Sequence, residues 1–310
     1  MYFKEEFNMK KIVVLGSINV DTILNIARLP LPGETMAMSN RSTAGGGKGA
    51  NQAIAAVRAG SETAFISKIG KDHAADFMID TFKEDGLNIE HVTEDETAGT
   101  GKAYILLDDN GQNSILIYGG ANQTITTEDI KNASETIASA DCLITEFETP
   151  LEASIEAFKI AKANKVLTIL NPAPAKNNIP EELLKLSDII VPNETEAEAI
   201  TGIKVTDLDS MKKAAKKLHT MGVKHVIITV GANGAFYSLG EEDGFVNAFK
   251  VNTVDTTAAG DTFIGYLASA LNSDLGNIEE AMKFASKASS ITVQTQGAQN
   301  SIPYVKNVKI

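Results

Sequence analysis

The sequence predicts an α/β fold: a central, mostly parallel sheet flanked by helices, with a small β-sheet lid beside it. Three observations carry this. From residue 63 onward, short apolar runs of strand length alternate with amphipathic segments of helical period, the pattern of strands joined by crossover helices. Polar residues follow directly after several of the apolar runs, as they do along the carboxyl edge of an open parallel sheet. Two stretches, about 23–44 and 100–120, break the alternation with shorter extended pieces and no helix between them. With 1–9 read as an N-terminal extension, the main domain is expected over 10–310, with the lid inserted at these two stretches.

Composition narrows the function class. A chain of 310 residues with 43% hydrophobic and 22% charged content can bury a sizeable core. No apolar run approaches the ~20 residues needed to cross a bilayer, and residues 1–9 are mixed and acidic, unlike a secretory signal. The single cysteine, Cys142, cannot form an internal disulfide and sits in an apolar run, so a buried thiol and a reducing cytoplasm are expected. A net charge of −12 opposes non-specific attraction to nucleic acid. A small anionic substrate therefore needs locally placed donors or a metal ion.

Residues 12–17 read as a buried strand ending at Gly16 and Ser17. Asn19 and Asp21, just beyond it, stand where ligands bind in such sheets; an Asx-type turn is the competing account. The segment 23–44, broken by Pro30, Pro32 and Gly33, and a hairpin of 102–108 with 113–118 turning at Asn110-Gly111, form the expected lid. Between them, Gly45-Gly46-Gly47-Lys48-Gly49-Ala50-Asn51 opens a small-residue helical pattern that stops at Gly60. Such a glycine run lets backbone amides approach a ligand, with Lys48 and Asn51 as side-chain donors; a flexible hinge is the bland alternative. Lys48 is followed by Gly49 rather than Ser or Thr, so this is not a Walker A loop.

The remaining strands are expected at 63–69, 141–146, 166–170, 188–191, 225–230 and 234–238. Helices are expected at 73–84, 126–138, 151–163, 181–186, 194–200, 207–221, 260–271 and 277–295. Glu146 and Glu148, Asn193 to Glu196, and Thr229 to Gly231 follow strand ends and so converge on one sheet edge. Acidic residues near a phosphate site suggest Mg²⁺ held through waters, although an acidic first turn explains Glu194 and Glu198 by the helix dipole alone.

Asp255-Thr256-Thr257-Ala258-Ala259-Gly260-Asp261-Thr262-Phe263 has the strongest chemical content. Residues 245–254 alternate like a strand ahead of it, and a helix begins behind it. The first amides of a helix lack intrahelical partners, and Ala258, Ala259 and Gly260 are small enough to admit an anionic group. Asp261 adds a carboxylate where a general base could deprotonate an attacking hydroxyl. The competing account is a capped helix start without chemistry.

Gly-Ser-Ile-Asn-Val-Asp (16–21), Gly-Gly-Lys-Gly-Ala-Asn-Gln-Ala (46–53), Asn-Pro-Ala-Pro-Ala (171–175), Pro-Asn-Glu-Thr-Glu-Ala-Glu (192–198) and the 255–263 stretch together resemble the ribokinase family of carbohydrate kinases. The motifs stand in the family's order over about residues 10–305. The resemblance implies ATP-dependent phosphorylation of D-ribose at O5, giving D-ribose 5-phosphate and ADP. By position, Asp261 matches the family's catalytic base, and Ala258, Ala259 and Gly260 match its anion hole. Asn19, Asp21, Gly47, Lys48, Asn51 and Glu148 match the residues that hold the sugar. Asn193 and Glu196 match those linked to Mg²⁺ and phosphate placement, and Thr229 and Gly231 match nucleotide contacts. Asp255 and Thr257 match one wall of a monovalent cation (K⁺) site, with Thr292, Thr295, Gly297 and Ser301 on the other. The resemblance also implies a homodimer clasped through the lid. The rival readings are another sugar or nucleoside kinase of the family, or a non-catalytic sugar-binding protein on the same scaffold. A redox Rossmann enzyme is disfavoured, because no Gly-x-Gly-x-x-Gly follows the first strand.

Overall fold

The computed structural model describes residues 9–310, so the extension expected at 1–9 lies, but for Met9, outside the described residues. The chain enters the main sheet on β1 (Lys11–Leu15) and crosses to a second sheet as β2 (Asn19–Ile26) and β3 (Asn40–Gly46). Helix α1 (Lys48–Arg58) leads back to β4 (Glu62–Gly70), and α2 (Asp76–Glu84) leads to β5 (Asn88–Asp95). The hairpin β6 (Gly101–Asp108) and β7 (Asn113–Tyr118) completes the second sheet.

The chain then alternates: α3 (Thr127–Asn132) and α4 (Ser134–Ala138), β8 (Cys142–Thr145), α5 (Leu151–Ala163), β9 (Leu167–Leu170), α6 (Glu181–Leu186) and β10 (Ile189–Ile190). Next come α7 (Glu194–Thr201), α8 (Leu208–Thr220), β11 (His225–Thr229), β12 (Gly234–Ser238) and β13 (Asp243–Asn247). It closes with α9 (Ala259–Ala270) and α10 (Ile278–Thr292).

The main sheet has nine strands in the order β13-β12-β11-β10-β9-β8-β1-β4-β5, parallel from β11 to β5 and antiparallel at β12 and β13. Helices cover both faces, which is why its central strands read as unbroken apolar runs. Along β1, Ile12 and Val14 face a core closed by α1, α9 and α10, while Val13 and Leu15 face a core closed by α3 to α5 and α8. The second sheet has the order β3-β2-β6-β7 and joins β2 to β6 in parallel, so the two stretches expected to form the lid meet in one sheet.

Four details differ from the sequence reading. Strand β5 was not anticipated: its residues NIEHVTED lie on the sheet edge, largely out of the core, and carry no apolar run. The strand expected over 245–254 ends at Asn247, so an irregular segment, rather than a strand, delivers the chain to α9. The helix expected over 126–138 breaks at Ala133, where φ is −96° and ψ is 8°. Finally, Asn19 and Asp21 lie on β2 itself rather than in a turn, because the second sheet begins straight after the first strand.

Candidate active site

The carboxyl ends of β1, β8, β10 and β11 share one edge of the main sheet, and the second sheet begins there. Helix α1 starts against this edge through its glycines. Gly47 has φ 93°, and a Cβ on it would lie 2.7 Å from both the Asn19 amide nitrogen and the Ser17 carbonyl oxygen. A Cβ on Gly46 would fall 2.2 Å from an Asp21 carboxylate oxygen. The run is therefore a close-packing device as well as a turn, and the hinge account fails: α1 starts hard against β2.

A cluster of carboxylates surrounds this junction. Glu146 is fully buried and accepts hydrogen bonds from the Ser17 amide (2.7 Å) and the Glu148 amide. Burial, reinforced by the neighbouring Glu148, pushes its carboxyl up to about 8. Glu148 accepts from the Lys48 amide at 3.1 Å, from Asn19 Nδ2 at 3.3 Å and from the Ser17 hydroxyl. Asp21 is pushed up to about 7, first by burial and then by Glu148. Burial opposes the charge of Lys48, yet the carboxylates of Asp261, Glu148, Glu196 and Glu146 outweigh it and hold the ammonium above the usual lysine value. Lys48 thus places a cation among a ring of acids.

Asp261 lies in the first turn of α9 and is buried. Asn51 Nδ2 donates to its Oδ2 at 2.9 Å, and Gln52 Nε2 donates to its Oδ1 at 2.9 Å. The cap residue, Ala258, is left-handed (φ 59°). The Ala259 amide turns back to the Thr256 carbonyl, whereas those of Ala258, Gly260 and Asp261 meet no acceptor among the described residues. A Cβ on Gly260 would meet nothing within 4 Å, so the space before these amides is open. Free amides, open space and a carboxylate are what an anion hole beside a base requires.

On the other side, Asn193 caps α7 through a capping box. Its side chain accepts from the Glu196 amide (2.8 Å), and Glu196 accepts from Asn193 N (2.9 Å) and Nδ2 (3.0 Å). Burial pushes the Glu196 carboxyl up, partly offset by the Asn193 amide and Lys48. Asn193 bridges to Thr229, and the Thr229 amide bonds to the Pro192 carbonyl at 3.0 Å. Gly231, at φ 50°, opens the turn that follows.

Asp255 gathers a separate corner. Its Oδ1 accepts from the Thr257 amide and hydroxyl, and its Oδ2 accepts from the Gly297 amide at 2.9 Å. Burial works against the Asp255 charge, but these hydrogen bonds overcome it and hold the carboxyl below its usual range. The Thr292 hydroxyl pairs with Thr262 (3.0 Å) and that of Ser301 with the Ala298 carbonyl, while Thr295 is exposed. The carbonyl oxygens of Asp255, Thr257, Thr295, Gly297 and Ser301 accept no hydrogen bond among the described residues.

The chain matches the pfkB family of carbohydrate kinases over residues 9–304. It belongs to that family. Within it, the kinase is 50% identical to a ribokinase of Staphylococcus aureus over 96% of its own length and 98% of the relative's. It is 55% identical to a bifunctional ribokinase/ribose-5-phosphate isomerase A of Fructilactobacillus sanfranciscensis, and spans 55% of that relative's length. The kinase superposes with a TM-score of 0.90 on a structure of Arabidopsis thaliana ribokinase complexed with ribose and ATP, at 33% identity and 97% coverage of each chain.

Gln52 and Asn122 contact the site residues without being picked out by the sequence reading, and Glu146, read there only as an acid following a strand end, bonds the Ser17 and Glu148 amides. Asn122, buried after β7, accepts from the Ile18 amide (2.9 Å) and donates to Asn19 Oδ1 (2.8 Å), which sets the Asn19 side chain. Nothing local in the sequence marks it, since its partners lie more than a hundred positions away. Gln52 follows Asn51 directly, so its helix start was the available signal.

Proposed function

We propose that the kinase transfers the γ-phosphoryl group of ATP to O5 of D-ribose, giving D-ribose 5-phosphate and ADP, with Asp261 as the base. The observation that carries this is the buried Asp261 carboxylate standing beside the unpartnered Gly260 and Asp261 amides at the open end of α9. The names of the relatives support the sugar and the nucleotide.

In this reading the sugar sits between Asn19, Asp21, Gly47, Lys48, Asn51 and Glu148, polar groups suited to a bare polyol. Asn51 Oδ1 is buried without a partner, an acceptor ready for a sugar hydroxyl. The nucleotide lies along Asn193, Thr229 and Gly231. Asp261 takes the O5 proton and the oxygen attacks in line, while the free amides of Ala258, Gly260 and Asp261 at the start of α9 and the Lys48 ammonium receive charge on the transferring group. Positioning and charge stabilisation supply most of the acceleration, and no covalent enzyme intermediate is required.

Both Glu196 oxygens already accept hydrogen bonds, which suits Mg²⁺ held through water and nucleotide phosphates, with Asn193 and Glu196 as outer partners. Mg²⁺, when bound, neutralises phosphate charge. The unpartnered carbonyls of Asp255, Thr257, Thr295, Gly297 and Ser301 are hard oxygen donors of the kind K⁺ takes, beside a carboxylate held ionised. We place the second sheet over the sugar as a lid whose closure excludes water. On its edge strand β7, Ile115, Leu116, Ile117 and Tyr118 are all exposed, an edge that a homodimer would cover. No helix among the described residues is long and apolar enough to cross a membrane, and the buried thiol of Cys142 suits a reducing cytoplasm.

A sugar panel with coupled ADP detection, run with and without K⁺, tests the reading. Ribose should turn over fastest, and faster with K⁺. Faster turnover of fructose or adenosine would overturn the substrate, and ribose binding by calorimetry without ADP formation would overturn the enzyme reading. Asp261→Asn should bind ribose and ATP within a few-fold of normal yet lose about 10²–10⁴ in kcat.

A further inference from the structure

We infer that Gln52 is a positioning residue for phosphoryl transfer, one that locks the Asp261 carboxylate in its reactive orientation while Asn51 is free to exchange Asp261 for the sugar. This rests on the reading of Asp261 as the base.

Three observations lead to it. The two oxygens of Asp261 are divided between two adjacent amides, Asn51 on Oδ2 and Gln52 on Oδ1, each at 2.9 Å. A carboxylate held on both oxygens cannot rotate, and with one donor on each oxygen it keeps a lone pair for the incoming hydroxyl. Gln52 is wholly buried, whereas Asn51 lies at the helix start beside the sugar residues. The exchangeable partner is therefore Asn51 and the permanent one Gln52.

The second observation is that Gln52 Oε1 is buried with no partner. Turning the amide over would aim that oxygen at a carboxylate oxygen, two acceptors face to face, so the NH₂ group must point at Asp261. An apolar residue would fill the same space without leaving a buried acceptor unpaired.

The third is the packing that permits the contact. A Cβ on Gly265 would lie 2.5 Å from Ala55 Cβ and 2.7 Å from the Gln52 carbonyl oxygen, so α9 and α1 touch backbone to side chain at this level. Gly265 is one helical turn beyond Asp261, on the same face. The close approach beneath is what brings the short Asp261 side chain within reach of Gln52.

The charged groups around Asp261 are Lys48 from α1 and Glu196 from α7, with Glu146 and Glu148 beyond Lys48. None of them replaces the Gln52 donor. A hydrogen bond to the ionised carboxylate favours that form, so its loss moves the acid side of the rate profile to higher pH.

The test compares Gln52→Met, which keeps the volume and removes the donor, with Gln52→Glu, which sets a second carboxylate against Asp261. The readout is kcat against pH at saturating ribose and MgATP, together with KM for ribose. Gln52→Met should lower plateau kcat about tenfold, leave the ribose KM within about twofold, and raise the acid limb of kcat by about one pH unit. Gln52→Glu should raise the limb further. If Asp261→Asn is inactive while Gln52→Met keeps both its plateau and its limb, the inference is overturned and the base stands. If Asp261→Asn retains substantial turnover, the base reading itself falls. Should Gln52→Met not fold, as judged by circular dichroism, an unmoved limb in Gln52→Glu overturns the inference in its place.

Discussion

Replacing Gly265 with alanine tests how tightly the geometry of the base depends on helix packing. The added methyl would sit 2.5 Å from Ala55 Cβ, 2.7 Å from the Gln52 carbonyl oxygen and 2.8 Å from the Ala56 amide nitrogen. Carbon atoms rest about 3.5–4.0 Å apart, so α1 and α9 must separate by about 1 Å locally. Two of the three obstacles are backbone atoms, which a rotamer change cannot remove. Overpacking of this kind costs about 1–3 kcal/mol, while alanine in place of glycine inside a helix returns up to about 1 kcal/mol. Stability therefore falls only modestly.

The site suffers more. The Asn51 and Gln52 hydrogen bonds to Asp261, both 2.9 Å, would stretch to about 3.9 Å, beyond hydrogen-bonding range. A misplacement of about 1 Å costs on the order of 10² in rate. Coupled ADP release with ribose, read beside a thermal melt, separates the two effects. A variant that keeps kcat within about twofold of the parent would refute the claim that this contact sets the base.

Three further outcomes are expected. The specificity constant for ribose should fall as pH drops below about 7, because Asp21 titrates near there and only its ionised form accepts from two sugar hydroxyls; Asp21→Asn should flatten that limb at a lower level, and an unchanged limb would remove Asp21 from the sugar pocket. Glu146 and Asp21 have folded values of about 8 and about 7, above the ordinary carboxylate range, so these two groups hold more protons in the folded chain than in the unfolded one up to about pH 8 and their contribution to stability falls as pH rises through that window; a fall in urea midpoint between about pH 5.5 and about pH 8.5 that Asp21→Asn leaves just as large would contradict this. Arg58→Met should cost about 3–5 kcal/mol in urea unfolding, since it leaves the buried Asp85 carboxylate, bonded to Arg58 at 2.9 Å, with the Tyr304 hydroxyl but no cation, and frees the Gln299 and Ile302 carbonyls that Arg58 ties to α1; a loss under about 1 kcal/mol would show the cluster to be dispensable.

Much of the fold was legible because hydrophobic periodicity is a local signal. The apolar runs at β1, β4 and β8 to β11 are buried on both faces, so each reads as a strand without reference to its partners. Strand β5 was not legible, because an edge strand buries too little to leave an apolar pattern and is held by backbone pairing with β4. The 248–254 segment read as extended because alternation alone cannot tell a strand from an irregular segment.

By itself, the sequence determined the chemistry at hand: Asp261 at a helix start, a glycine run with Lys48 and Asn51, and acidic residues after strand ends. Each is a short motif whose meaning is set by the bonding capacity of its own atoms. Only the tertiary structure decided which groups act on which. Gln52 and Asp261 are 209 positions apart, and Asn122 and Asn19 are 103 apart. Hydrogen bonds of about 3 Å between such distant residues follow from the close stacking of α1 on α9 and of the second sheet on the end of β1. That stacking is set by the whole core, and no local run of residues encodes it.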